Sequence, residues 1–205
     1  MYKLFGKRLF DLFFSLIGLM VCLPLFFIIA ILIKLDSRGP VFFIQKRMGK
    51  NGSSFSLLKF RTMSADINAS TLMFEPGNKN RITRIGKFLR LTKIDELPQL
   101  LNVFLGKMSF VGPRPEVQKY KEFYSGENSL ILTIRPGITD MASIKYRHEE
   151  EMLADSYDPE KIYTEVILPD KLKINEDYIK NGIKLRNDFK IIFDTLLKIK
   201  CAKKN

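Results

Sequence analysis

From Leu12 to Ile33 the chain carries no charge for 22 residues, and Pro24 stands in the middle of the run. A helix of that length crosses a bilayer core of about 30 Å. No other feature constrains the fold so strongly, because so long an apolar segment must be covered by lipid or by protein. Pro24 has no N–H and its ring clashes with the preceding turn, so a break or kink is expected there. Both flanks are basic. Lys3, Lys7 and Arg8 precede the run with Asp11 as the only acid; Lys34, Arg38, Lys46, Arg47 and Lys50 follow it with only Asp36 opposed. Basic flanks favour the cytoplasmic side. Two ends favouring one side predict a segment that enters the bilayer and turns back at Pro24. An ordinary transmembrane helix that tolerates its proline is the competing reading. A signal peptide fits poorly: the apolar run exceeds the usual h-region of about 7–15 residues, and no A-x-A pattern closes it.

The division expected from this pattern is a membrane helix over residues 1–36 and a cytoplasmic domain over 37–205. The formal net charge is +12, from 34 Lys and Arg against 22 Asp and Glu. Such a surplus calls for a polyanionic partner, and beside a membrane segment it points to anionic lipid and phosphate. Cys22 and Cys201 are too far apart in sequence and context to suggest a disulfide framework, and neither has metal-ligand spacing. His148 is the only histidine. That leaves carboxylates as the groups for catalysis, with Lys and Arg as phosphate ligands.

Residues 41–63 read as a β-hairpin around Lys50-Asn51-Gly52. On its second strand Leu58 and Phe60 point one way, Lys59 and Arg61 the other, so the basic face is either a wall of an anion site or simply solvated. Residues 64–80 read as a helical fragment and a loop. In RITRIGKFLRLTK, Arg81, Arg84, Lys87, Arg90 and Lys93 recur every three residues with apolar residues between. On a helix this is a basic stripe beside an apolar one, suited to a membrane interface or to core packing with a wet face. Residues 99–105 read as a buried helix, 112–115 as a rigid loop, 135–137 as a turn, and 145–180 as helical with a break at Pro169. The segment Asp188–Ile199 is an amphipathic helix that packs on the domain or lies on the membrane.

Two motifs stand out chemically. Asp95 and Glu96 are adjacent carboxylates just before Pro98, with Asp95 expected as a helix N-cap and Thr92 as the competing cap. Neighbours on a helix splay by about 100°, so one can face a substrate and the other a metal. In Gly112-Pro113-Arg114-Pro115, prolines on both sides limit the backbone at Arg114. This holds an arginine fork in one place, as bidentate phosphate recognition requires; a stiff surface turn is the plainer alternative.

Taken in order, KFRTM (59–63), ITRIGKFLR (82–90), DELPQLLNVFLGKMSFVGPRP (95–115) and RPGIT (135–139) resemble the bacterial sugar transferases, the monotopic phosphoglycosyl transferases that act on polyprenyl phosphate. The resemblance runs from Lys7 to about Leu197. It implies the minimal form of the family, one re-entrant helix plus a catalytic domain. It also implies transfer of a sugar-1-phosphate from a UDP-sugar to undecaprenyl phosphate, releasing UMP, at the cytoplasmic face of the bacterial inner membrane. This step initiates assembly of a membrane-linked glycan. The family's Asp-Glu dyad falls on Asp95, the implied nucleophile, and Glu96. Its Pro-Arg-Pro falls on Pro113, Arg114 and Pro115, its basic strand on Lys59 and Arg61, and a further acidic position on Asp188. A diphosphate substrate calls for a hard cation beside these basic groups, so Mg²⁺ is expected, with Glu96 as its ligand. Two departures are visible. The membrane break is Leu23-Pro24 where Ser-Pro is common, and Asp140-Met141-Ala142-Ser143 follows RPGIT where many members read Gly-Leu-Ala-Gln.

The fold expected is α/β and mostly helical: a re-entrant helix kinked at Pro24, a small β-hairpin and amphipathic interfacial helices. The rival is a non-catalytic, membrane-anchored basic module for anionic lipid or nucleic acid. It has no use for Asp95-Glu96, and nucleic-acid binding favours aromatics interleaved with the basic residues, whereas most phenylalanines here lie in apolar runs. The expected partners are therefore a UDP-sugar, undecaprenyl phosphate and the membrane, not nucleic acid.

Overall fold

The computed structural model describes residues 2–64, 81–154 and 156–201. Apart from Ser64, the helical fragment and loop expected over 64–80 lie outside them.

The apolar run lies within one helix, α1 (Lys7–Asp36), long and apolar enough to cross a membrane. Pro24 lies inside the helix and does not end it, so of the break or kink expected, the break does not occur. One stripe of α1 faces protein along most of its length, at the three- and four-residue steps of a helix face. Arg8 donates to Val103 O (2.7 Å) and Phe104 O (2.9 Å), and Asp11 accepts from Ser109 Oγ (3.0 Å) and Phe110 N (3.1 Å). Ser15 is buried, and Gly18 lies against Leu100. Further on, Phe26, Ile29 and Ile33 pack with Phe60 and Leu89, and Asp36 accepts from Ile85 N (3.0 Å). The other faces leave Leu9, Phe13, Met20, Val21, Leu23, Phe27 and Leu35 exposed.

Strands β1 (Phe42–Met48) and β2 (Ser54–Phe60) form the expected antiparallel hairpin, with Phe43 opposite Lys59. Its tip needs two left-handed residues, Asn51 at φ 57° and Gly52 at φ 70°, which is why Asn-Gly stands there. Helix α2 (Arg84–Thr92) starts three residues later than the basic stripe suggested, because Thr83 caps it by accepting from Gly86 N (2.9 Å). Gly86 is required by contact: a Cβ there would lie 2.0 Å from Thr62 O. The apolar residues of α2 divide, with Leu89 buried and Phe88 and Leu91 exposed.

After a left-handed Lys93 comes a single 3₁₀ turn, Ile94–Glu96, and then α3 (Gln99–Phe104). Neither expected N-cap applies. Asp95 sits in the 3₁₀ turn, and Thr92 closes the end of α2, donating to Phe88 O and Leu89 O. Asn102, the polar residue of an apolar stretch, ties α3 to β2 by accepting from Leu58 N (3.0 Å) and donating to Ser56 O (2.8 Å).

Strand β3 (Ser109–Val111) pairs in parallel with β4 (Gly137–Thr139), so the residues expected only to turn at 135–137 enter a strand. Here the two backbones touch: a Cβ on Gly137 would lie 2.2 Å from Gly112 N. Helices α4 (Met141–Lys145), α5 (Glu149–Ala154), α6 (Pro159–Ile162) and α7 (Leu168–Asp177) follow. Pro169 does not break this region. It is the second residue of α7, directly after a π turn at Tyr163–Ile167, and the helical backbone runs on through it. The largest core cluster gathers Val111, Tyr120, Ile144, Leu153, Ile167, Leu172 and Ile191.

The last helix, α8 (Leu185–Cys201), buries Asp188 and Ile191 and leaves Phe193, Leu196 and Leu197 exposed. Its Phe189 stacks edge-on against Phe10 of α1 at 5.3 Å. The exposed apolar residues of α8 thus adjoin the N-terminal half of α1, while α2 and β1 adjoin its C-terminal half through Phe60.

Candidate active site

The 3₁₀ turn after α2 presents Asp95 and Glu96 beside the end of β2 and the loop after β3. Glu96 is the hub. Its Oε1 accepts from Lys59 Nζ (2.9 Å) and Arg114 Nη2 (2.5 Å), and Oε2 takes a long contact from Arg114 Nη1 (3.4 Å). Three separated motifs thus converge on one carboxylate. Burial alone would raise the Glu96 pKa, but the charges and hydrogen bonds of Arg114 and Lys59 hold it well below the usual carboxylate range. Burial lowers the Lys59 pKa, with Glu96 opposing.

Asp95 differs from its neighbour. It is 8 % exposed, and Oδ1 is buried with no hydrogen-bond partner among the described residues. Burial, and then the charge of Glu96, push its carboxyl above the ordinary range, against the pull of Lys59, Lys93 and Arg90. A carboxylate kept basic and unshared, next to a Glu96 that Lys59 and Arg114 hold, has the character of a nucleophile. Gln99, one turn along, is likewise buried with Nε2 unpartnered.

The loop carrying Arg114 is held by backbone contacts. Gly112 N donates to Thr139 O (3.1 Å) and Gly137 N to Pro113 O (2.9 Å). Arg47 of β1 donates to Pro115 O (3.2 Å) and faces Glu116 at 3.9 Å, while Glu116 also accepts from Tyr163 OH (2.6 Å). Pro113 and Pro115 therefore shape the loop, and of the three residues Arg114 alone reaches Glu96. The motifs GPRP and RPGIT are two halves of one structural unit.

Two residues expected at the site lie elsewhere. The Arg61 guanidinium donates to Arg38 O (2.5 Å) and Ser37 O (2.8 Å), gripping the chain as it leaves α1. Asp188 is fully buried near the other end of α1, accepting from Lys7 Nζ (2.5 Å), Tyr2 OH (2.7 Å) and Tyr178 OH (2.6 Å). Asp140, noticed in the sequence only as a departure, proves to be buried. It accepts from Arg114 N (2.9 Å) and from Ser143 N (2.5 Å) as the N-cap of α4.

For a metal, the described residues offer no group of three His, Cys, Asp or Glu side chains. Mg²⁺ does not demand one, because it takes one or two carboxylates and completes its shell with phosphate and water. Glu96 Oε2, with its single long contact, and the unshared Asp95 Oδ1 are donors of that kind.

A family model described as bacterial sugar transferase matches residues 2–201. The chain is 46 % identical over 147 residues to an exopolysaccharide production protein of Rhizobium leguminosarum bv. phaseoli, covering 68 % of this chain and 73 % of that one. It is 36 % identical to the UDP-N-acetylgalactosamine-undecaprenyl-phosphate N-acetylgalactosaminephosphotransferase of Aeromonas hydrophila. It is 37 % identical to the UDP-glucose:undecaprenyl-phosphate glucose-1-phosphate transferase of Klebsiella pneumoniae. Each of these alignments covers 94 % of this chain, which spans only 43 % and 39 % of those relatives' lengths.

Proposed function

The chain belongs to the bacterial sugar transferase family, and from that membership we propose that it transfers a sugar-1-phosphate from a UDP-sugar to undecaprenyl phosphate, releasing UMP. The observation that carries the chemistry is the contrast between the two adjacent carboxylates, one unshared and basic, one clamped by Lys59 and Arg114.

Asp95 attacks the β-phosphorus of the donor. A bond forms between its carboxylate oxygen and phosphorus, and the bond to the bridging oxygen breaks, its electron pair leaving with UMP. A phosphate oxygen of undecaprenyl phosphate then attacks the same phosphorus, and the Asp95 carboxylate departs. Two displacements spare the enzyme from holding a water-soluble donor and a lipid acceptor together. Lys59 and Arg114 stabilise charge on the transferring group, exchanging part of their contact with Glu96 for phosphate oxygens. Glu96 would hold Mg²⁺, which neutralises diphosphate charge and polarises the phosphoryl oxygens.

The same reading places the chain on the cytoplasmic face of the inner membrane, with α1 re-entrant. A helix that crossed the bilayer would carry its ends to opposite sides, about 30 Å apart. Here Arg8 and Asp11 at one end and Ile33 and Asp36 at the other contact the same folded chain. The exposed apolar residues of α1, α2, α3 and α8 then face lipid, with the lysines and arginines at the headgroups.

The test is UMP release against a panel of UDP-sugars with undecaprenyl phosphate. With donor alone, intact-protein mass spectrometry should find a phosphosugar adduct that Asp95→Asn abolishes. EDTA should stop turnover and Mg²⁺ restore it. Ternary-complex kinetics with no trappable adduct would remove Asp95 as nucleophile, and full activity in chelator would remove the metal.

A further inference from the structure

We propose that Asp140 is a positioning residue for Arg114, an inference that deepens the function just proposed and rests on it. Pro113 and Pro115 have no N–H, so Arg114 supplies the only backbone donor of Pro113-Arg114-Pro115. That donor goes to Asp140 Oδ2 at 2.9 Å, while Oδ1 takes Ser143 N at 2.5 Å. One carboxylate, 2 % exposed, thus joins the catalytic loop to the first turn of α4. Helix α4 is itself immobilised: Ala142 is buried, and Ile144 sits in the large core cluster with Leu168, Leu172 and Ile191. A line of fixed contacts runs from the core through α4 and Asp140 to the Arg114 backbone, and from its guanidinium to Glu96.

The chemistry selects a carboxylate. Two N–H groups arriving at separate oxygens require two acceptors on one short side chain, and among uncharged isosteres Asn offers one acceptor and turns an NH₂ toward the other donor. Asp140 follows β4 directly, where the backbones of Gly112 and Gly137 touch. The loop therefore cannot retreat from the acid without separating the parallel strands. The proline rings set the shape of the loop, and Asp140 sets its place.

The test is a double-mutant cycle on UMP release, using whichever UDP-sugar the panel identifies, with melting temperature followed alongside. Asp140→Ala should lower kcat/KM about 10–100-fold, the scale expected for a displacement of about 1 Å in a catalytic group. Asp140→Asn, keeping one acceptor, should fall between. In an Arg114→Ala background, Asp140→Ala should cost nothing further, because no guanidinium remains to be placed. A full additional loss in that background would reduce Asp140 to a general structural role and overturn the proposal. A second readout needs no turnover. Arg114 carries the only exchangeable amide of residues 113–115, so its hydrogen exchange, followed by mass spectrometry, should accelerate in Asp140→Ala; unchanged exchange would also overturn the proposal. A wild type inert toward every donor would defeat the proposed function instead, leaving the exchange result to decide on Asp140.

Discussion

Adjacent carboxylates at one site should respond to neutralisation with opposite signs. Glu96→Gln keeps the shape of the side chain and one acceptor oxygen but removes the charge between Lys59 and Arg114. Breaking a buried pair costs about 3–5 kcal/mol. Arg114 is 38 % exposed along its side chain and Lys59 20 %, so solvent screens part of the interaction. The low end, about 3 kcal/mol, is the figure to expect. At about 2–4 °C per kcal/mol for a chain of this size, the melting temperature should fall by about 6–12 °C. Asp95→Asn should raise it at neutral pH, because the native fold holds that carboxylate buried and unshared, and should abolish turnover.

The pH dependence separates the two further. The folded pKa of Glu96 is depressed, so its contribution is complete above the unfolded value of about 4.3 and is lost as pH falls toward the folded value. The folded pKa of Asp95 is raised. Its penalty is absent below the unfolded value of about 3.9, grows as pH rises, and levels off above the folded pKa. Thermal unfolding of wild type and both variants in nanodiscs, from pH 2 to 8, measures both curves, with the Glu96 loss at the acid end and the Asp95 penalty growing above about pH 4. If the two substitutions destabilise alike at neutral pH, Asp95 has a partner that its geometry does not provide, and the argument for a basic, unshared nucleophile fails.

Arg61→Met removes two hydrogen bonds from a buried guanidinium to Ser37 and Arg38 carbonyls. It should cost about 3–5 kcal/mol while UDP affinity by calorimetry stays within twofold; lost affinity at unchanged melting temperature would return Arg61 to the anion site. Asp188→Asn leaves Lys7 against an uncharged partner and should destabilise by about 3–5 kcal/mol, with the KM for donor unchanged if the residue only anchors α1. Cysteines placed at residues 3 and 38 of a Cys-free variant should both be labelled from the cytoplasm alone; periplasmic labelling of residue 3 would establish a span and refute the re-entrant topology.

The sequence determined the elements whose signals are local. The hairpin followed from Asn51-Gly52, since few residues accept left-handed backbone, and α1 from 22 uncharged residues that water would not solvate. The approach of Lys59, Glu96 and Arg114 could be anticipated from motif resemblance, though no periodicity joins residues 37 and 18 positions apart. Tertiary structure decided the rest, because it concerned which of several chemically suitable partners lay nearest. Lys59 and Arg61, two residues apart, were expected on one strand face, yet Arg61, just past the end of β2, grips the exit of α1 while Lys59 meets Glu96. Asp188 looked like an acid for substrate and is enclosed by Tyr2, Lys7 and Tyr178. The apolar face of α8 turned outward because Asp188 and Ile191 took the inward one. The parallel pairing of β3 with β4 left no mark in three-residue strands, whose partners are chosen by packing at Gly112 and Gly137 rather than by propensity. Sequence can state which side chains are capable of a chemistry; long-range contact assigns each of them to scaffold or to site, because a buried charge is stabilised only by the partner that reaches it.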